Sequence, residues 1–562
     1  MKQITLLYTL GSPALVRSEY TVARSVDSND VFDGYVSYSI EFASFPDFAG
    51  NNSHPNTFSD TLLDNIAHIS GRKPYIRVGG NTQDYALYDA SLPYALNGTI
   101  NPARSQDYPT TVTIGPSYFE SYRTWKDVKF YHGFNLGLGG NSSRGWQTLL
   151  DTVPLACKAL SDGRLYVWGY GNEPDLYSIS AQGPVRPPDW DEAAYVSQWH
   201  NGTRQIKALL EEHCPELAGE DSYGYMAPSF AGVGNPPLKA PAAWAAGLND
   251  DKNVKLFSTH NGATSPGVTL QGTLMNHAVT KRSVDAHVTE YNAILAQAAG
   301  PVPPLIFGET NSLYNQGRPG LSNTFGAALW GLDFNLYAAS VGFKRVHMHM
   351  GTNYRYAAWQ PLPTSLTSMG TKAPYYGSIA VAASLGRRPA TVLEIPLSSS
   401  QTPDAADLQP ESAYAIYTAA HLSRITILNM RSHNTTLDGA GLTPLPDTTP
   451  RNEVEYTFRL EGIEQGRSLL VRRLLANGSD AITGITWDGW SYNYELDGGR
   501  PVRLGNVTVG ERVVVGEGGV VRVRVADASA AVVEVAEGRG GDGDGEGEGQ
   551  KRGKGRRGWW FQ

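Results

Sequence analysis

From about residue 31 to residue 375 the chain alternates short apolar runs with longer amphipathic ones. The runs Tyr35–Phe42, Tyr75–Val78, Lys129–Leu136, Leu165–Gly169, Gly224–Ala227, Val254–Ser258, Leu305–Phe307 and Lys344–Met348 are rich in aromatic and β-branched residues. They read as buried strands. Between them, Trp146–Leu160, Ala193–His213, Val284–Gln297 and Asn323–Ser340 carry the longer spacing of helices. Eight strands separated by helical patterns predict an α/β fold, a (β/α)8 TIM barrel. An open doubly wound sheet uses the same alternation but calls for a glycine-rich phosphate loop after the first strand. The stretch Tyr38-Ser39-Ile40-Glu41-Phe42-Ala43 has no glycine.

The pattern changes after Trp359-Gln360-Pro361. One last helix is predicted over Tyr375–Leu385. Short strands with Gly, Asp and Pro turns follow: Ala390–Leu397, Ala413–Thr418, Arg424–Asn429, Glu453–Leu460, Ser468–Leu475, Val502–Val509, Arg512–Val515 and Val520–Val525. No helical pattern separates them, so this part is predicted to be an all-β sandwich. The strand-like run from Ala14 to Ala23 is a candidate to cover an edge of that sandwich. The expected division is an N-terminal segment over 1–30, a catalytic barrel over 31–385, a sandwich over 386–537 and a tail over 538–562. The tail, a Gly/Asp/Glu run followed by Gly/Lys/Arg, has the composition of a disordered segment. Its closing Trp559-Trp560-Phe561 has no physical account.

A chain of 562 residues can bury a large core. Charged residues make up 18% and the formal net charge is −8, which argues against nucleic acid as the main partner. The 12 Trp and 30 Tyr suit sugar stacking as well as they suit a large core. No apolar run is long enough for a transmembrane helix, so no membrane partner is expected. Met1 to Leu10 resembles a short secretion signal, and acceptor sequons begin at Asn51, Asn97, Asn141, Asn201, Asn434, Asn477 and Asn506. Secretion is the expectation. The two cysteines, Cys157 and Cys214, fall in separate predicted helices, and their pairing is left open.

Two of the strands end in carboxylates. Leu165–Gly169 runs into Gly171-Asn172-Glu173-Pro174-Asp175, where proline stops the ladder. Leu305–Phe307 runs into Gly308-Glu309-Thr310-Asn311. In a closed barrel these are the C-terminal tips of the fourth and seventh strands, the face where barrel active sites are built. Paired carboxyls there suit glycoside hydrolysis, at a separation of roughly 5–5.5 Å for the retaining geometry. Glu309 is assigned as nucleophile and Glu173 as acid/base. The amide of Asn172 suits the sugar 2-hydroxyl.

These motifs resemble those of clan A retaining glycoside hydrolases. The longer runs Glu309–Gly320, Thr269–His277 and Trp487–Tyr492 resemble fungal members of glycoside hydrolase family 79, the β-glucuronidases and heparanase-like enzymes. The resemblance spans about residues 31–530. It implies a β-linked glucuronic acid substrate, possible 4-O-methylation included, whose carboxylate is met by Tyr314 and by backbone amides near Gly317. Relatives often carry Gly directly after that Tyr; here Asn315 and Gln316 intervene. No cofactor is implied, and a monomer is expected.

The other strand tips are weaker candidates. Glu41, on the first strand, is expected to accept from sugar hydroxyls or to pair with Arg77. Arg77 is expected to orient Glu41 or Glu309. His260 ends the sixth strand, where clan A enzymes often hold the nucleophile, and is taken as a substrate contact. His347 and His349 alternate on the eighth strand without a third metal ligand, which favours a core role over zinc. Tyr354 and Tyr356 are candidate pocket walls, Tyr356 preferred. The rival readings are another clan A activity, glucosidase-like or xylosidase-like, and a carbohydrate-binding protein without catalysis. The presence of both glutamates argues against the second.

Overall fold

A computed structural model describes residues 15–535 except 181–182, 236, 263–266, 398–407 and 448. The first residues of the secretion-signal reading and the tail from 538 lie outside the described residues. Eight parallel strands close into a barrel: Val36–Glu41, Ile76–Gly79, Phe130–Phe134, Leu165–Tyr170, Tyr225–Phe230, Val254–Gly262, Leu305–Asn311 and Val346–Met350. The first, second and third are buried at every position, their polar residues Ser37, Ser39, Glu41, Arg77 and His132 included. The predicted (β/α)8 barrel is the observed one.

Several strands run past the ends read from the sequence, the fifth to Phe230 and the eighth to Met350 among them, and two of these extensions bear on the site. The sixth continues to Gly262 and the seventh to Asn311, with His260 opposite Glu309 and Asn261 opposite Thr310. Backbone pairing needs no apolar side chain, so the ladder outlasts the hydrophobic run. His260 and Glu309 therefore sit within paired strands, on backbone fixed from both sides.

The strand–helix rhythm breaks once, after the second strand. There the chain builds a small sheet from Ala86–Tyr88, Leu96–Thr99 and Thr111–Ile114, then the short helix Pro116–Arg123. Three of the long barrel helices start on side-chain caps: Ser142 accepts from Gly145 N, Asp191 from Ala194 N and Thr324 from Ala327 N. Cys157, in the helix Ser143–Leu160, forms a disulfide with Cys214 at the end of the helix Glu192–His213. Among the described residues no helix is long and apolar enough to cross a membrane.

The C-terminal region is antiparallel and two-layered. One layer holds nine strands. The other sets Leu15–Val22 parallel to Glu453–Leu460, which pairs in turn with Val520–Ala526. Val22, Tyr456, Phe458, Val471, Val523 and Val533 share the core between the layers.

The barrel docks on this region through the helix Phe325–Ser340, whose first fifteen residues are all buried. Such a helix has no solvent face because both domains cover it. Its first amides donate to the sandwich: Phe325 N to Ala481 O at 2.7 Å and Gly326 N to Ser479 O at 2.7 Å.

A buried charge cluster fixes the same interface. His277 faces Asp333 through Nδ1 (3.0 Å) and Glu394 through Nε2 (3.1 Å), while Ser412 and Tyr414 donate to Asp333 at 2.6 and 2.7 Å. Burial opposes the charge on His277, but Asp333 and Glu394 outweigh it and lift the pKa to about 9. A pKa raised in the folded state gives stability that is fully present below about pH 6.5 and is lost as pH rises through about 9. His277→Ala, which strands the Asp333 charge, is expected to cost roughly 3–5 kcal/mol. Thermal melts of both proteins from pH 6 to 10 check this: the gap in Tm narrows above pH 9. A gap that stays constant contradicts it.

Candidate active site

The two strand-tip carboxylates converge. Glu173 adopts φ 51° and ψ 52°, left-handed backbone that a side chain occupies at a cost of about 1–3 kcal/mol. The bond from Glu173 N to Ser229 O (3.0 Å) holds it there, and Pro174 begins the short turn that follows. This turn swings the carboxyl over the mouth. A carboxylate oxygen of Glu173, one of Glu309 and a ring nitrogen of His260 all lie within 4.8 Å of one another. An inverting pair stands roughly 6.5–9.5 Å apart to admit a water; this pair has the closer spacing of a double displacement.

Arg77, on the second strand, organises the floor. Its Nη1 contacts Glu309 Oε2 at 2.5 Å and Ser39 Oγ at 2.9 Å, and its Nη2 donates to Asn172 Oδ1 at 2.6 Å. The guanidinium thus ties the first, second, fourth and seventh strands together. Asn172 is fixed twice more: its Nδ2 donates to Asn81 Oδ1 (3.0 Å) and its backbone N to Asp84 Oδ2 (2.7 Å). Asp84 also accepts from Tyr177 OH (2.6 Å) and from the amides of Leu136 and Gly137 (3.0 and 3.1 Å), pinning three loops.

The electrostatics separate the two acids. Burial, then repulsion by Glu309, push Glu173 up to about 8, against the pull of Arg77 and His349. Burial also acts against ionised Glu309, but His349 and Arg77 more than offset it and hold this carboxyl below its usual range. Around neutral pH Glu173 carries a proton and Glu309 does not. His260 Nδ1 lies 3.0 Å from Glu173 Oε1. Burial keeps the imidazole neutral, with a pKa near 3. Its Nε2 is buried with no partner. Nδ1 is thus the ring nitrogen through which His260 meets the Glu173 carboxyl.

The other sequence-based candidates are placed as follows. His260 touches Glu173 rather than the nucleophile, and with its side chain 2% exposed it is not a direct sugar contact. Glu41 accepts from Thr82 N (2.9 Å), Thr82 Oγ1 (2.5 Å) and Tyr354 OH (3.2 Å), with His349 Nε2 at 3.5 Å. These donors occupy its lone pairs, so neither expected role holds: it is a buried anchor, paired with His349 instead of Arg77. Tyr314 stands at the rim, 44% exposed. After it Asn315, Gln316 and Gly317 take φ of 48°, 62° and 76°, a left-handed turn. The turn aims Gly317 N at Tyr314 O (3.4 Å), which spends the amide expected to face substrate. Glycine is required at 317, because a Cβ would meet Ser322 Oγ at 2.7 Å and the Tyr356 ring at 3.0 Å. Tyr356 is buried and packs edge-on against Tyr354 at 5.6 Å. Sequence reasoning left open which eighth-strand histidine meets the site, and missed Asp84. His349 reaches the mouth, while His347 turns to Phe307 O (2.8 Å) in the core. Asp84 gave no signal in the sequence, because its role exists only through the loops it gathers.

The comparisons with known proteins agree with this geometry. Residues 413–532 match the family described as glycosyl hydrolase family 79 C-terminal beta domain. A β-glucuronidase of Neurospora crassa is 64% identical over 92% of this chain and 96% of its own length. A β-glucuronidase of Aspergillus niger is 53% identical over 88% and 89%. Among solved structures, a 4-O-α-L-rhamnosyl-β-D-glucuronidase from Fusarium oxysporum 12S superposes with a TM-score of 0.70 at 25% identity, over 92% of this chain and 100% of that one. A family 51 α-L-arabinofuranosidase of Bifidobacterium longum, at 13% identity and a TM-score of 0.60, shares the fold. A barrel with paired acids at its fourth and seventh strand tips, followed by this β domain and matched along nearly its whole length, belongs to glycosyl hydrolase family 79, with the β-glucuronidases.

Proposed function

We infer that this β-glucuronidase releases terminal β-D-glucuronic acid from glycans or small glucuronides by double displacement, with Glu309 as nucleophile and Glu173 as acid/base. The observation that carries the assignment is one pair of carboxyls within 4.8 Å, one raised to about 8 and the other held low. Glu309 attacks the anomeric carbon while Glu173 gives its proton to the leaving oxygen. Esterified Glu309 has no charge, so the repulsion that held the proton on Glu173 ends and this carboxyl becomes a base. It then takes a proton from water, which attacks the same carbon and frees Glu309. Arg77 holds Glu309 and Asn172 in one frame, and the Asn172 amide meets the 2-hydroxyl. Tyr314, at the rim, meets the substrate carboxylate with a neutral donor.

Secretion fits the same reading. Its support is the Cys157–Cys214 disulfide and the exposure of six of the seven sequon asparagines, Asn51 being half-buried. Protein recovered from the culture medium is expected to run faster in a gel after enzymatic removal of N-glycans; unglycosylated protein confined to cells contradicts this.

Glu309→Gln is expected to lower kcat on 4-nitrophenyl β-glucuronide by more than about a thousandfold, and NMR of the wild-type reaction should show the β-anomer of glucuronate first. An α-anomer first, or a Gln variant that turns over normally, refutes the assignment. The alkaline limb of catalysis follows Glu173: kcat/KM falls as pH rises through about 8, and Glu173→Gln removes this limb. Nitrophenol is a good leaving group, so Glu173→Gln should accumulate the ester, and added azide should restore turnover. An unchanged alkaline limb in that variant contradicts the role.

A further inference from the structure

His349 stands between two carboxylates. Its Nδ1 is 3.5 Å from Glu309 Oε2 and its Nε2 is 3.5 Å from Glu41 Oε2. Ser39 Oγ, which accepts from Arg77, lies 3.0 Å from the same Nδ1. The side chain is 5% exposed, under the rings of Tyr354 (5.9 Å) and Tyr356 (6.2 Å). A neutral imidazole donates from one nitrogen only; an imidazolium donates from both, which is what two ionised acceptors on opposite ring edges require.

We propose that His349 is the second cation of the pocket and a specificity-determining residue, whose charge lets the site hold an anionic sugar beside an ionised nucleophile. The inference rests on the glucuronide reading. With Glu173 protonated, ionised Glu41 and Glu309 face Arg77 alone, and the pocket is negative by one charge before a glucuronate enters. A charged His349 brings the empty pocket to neutrality. A neutral sugar does not need this charge; a glucuronate does, because its carboxylate adds to those of Glu41 and Glu309 in a dry site.

The groups facing His349 are Glu41 and Ser39 on the first strand, Arg77 on the second, Glu173 after the fourth, His260 on the sixth, Glu309 on the seventh, and Tyr354 and Tyr356 beyond the eighth. Burial and Arg77 oppose the charge, while Glu309 and Glu41 favour it and set the balance above the ordinary histidine value. His260 stays neutral and both flanking glutamates stay ionised through the neutral range. Glu173 titrates there as well, but its proton serves every substrate alike.

The test is therefore a ratio. kcat/KM for 4-nitrophenyl β-glucuronide is divided by that for the β-glucoside, from pH 6 to pH 9, so that the Glu173 limb cancels. In the wild type the ratio should fall by about tenfold or more as pH rises. In His349→Gln it should start about tenfold lower at pH 6 and stay flat. Calorimetry on Glu173→Gln, which removes the other group titrating in this window, gives an independent reading without turnover: D-glucuronate should lose affinity between pH 6 and pH 9 while neutral D-glucuronamide keeps it. A wild-type ratio that favours glucuronide equally at every pH, or a variant slowed alike on both substrates, overturns the proposal. Equal wild-type rates on both substrates overturn the glucuronide reading and this inference with it.

Discussion

Two carboxyl groups held within 4.8 Å in a buried pocket repel each other by about 3 kcal/mol when both are ionised, at an effective dielectric of about 20. The rest of the mouth is arranged around that repulsion. One acid is buried beside a neutral imidazole and an ionised carboxylate, and keeps its proton. The other receives a guanidinium at 2.5 Å and an imidazole at 3.5 Å, and loses it. The difference between two chemically identical side chains is thus made entirely by their neighbours.

The fold delivers this asymmetry through rigid backbone. Glu309 and His260 face each other across a paired ladder, while Glu173 hangs on a strained left-handed turn. Arg77 and Asp84 supply the cross-links, one from each end of the second-strand tip. The sandwich contributes at a distance: by covering the helix that follows the seventh strand, and by fixing His277 and Asp333 at its foot, it holds the strand that carries the nucleophile.

Much of this was legible in the chain. The eight strands stood out because barrel strands buried on both faces are rich in aromatic and β-branched residues. Glu173 and Glu309 stood out because each ended such a run. The sixth and seventh strands ran on past His260 and Glu309, to Gly262 and Asn311, unseen, since ladder hydrogen bonds leave no mark on side-chain pattern. The i, i+2 spacing puts His347 and His349 on one face of the eighth strand, but does not tell which of them lies at the level of the mouth. Glu41 was read as a free acceptor because its donors, Thr82 and Tyr354, come from distant loops. Gly317 was read as an anion contact because the two residues before it gave no sign of winding the loop to the left. The cysteines carried no pairing information, because contact between two helices is a property of the folded chain.

The central claim is that Glu309, the ionised member of the pair, bonds to the sugar. A 2-deoxy-2-fluoro-β-D-glucuronyl fluoride tests it most directly, since fluorine at C2 destabilises the oxocarbenium-like transition states while fluoride still leaves, so that an ester accumulates. Peptide mass spectrometry of the inactivated enzyme should find one glucuronyl adduct, on the peptide carrying Glu309. An adduct on Glu173, or turnover of the fluoride to the α-anomer with no adduct at all, would contradict the account.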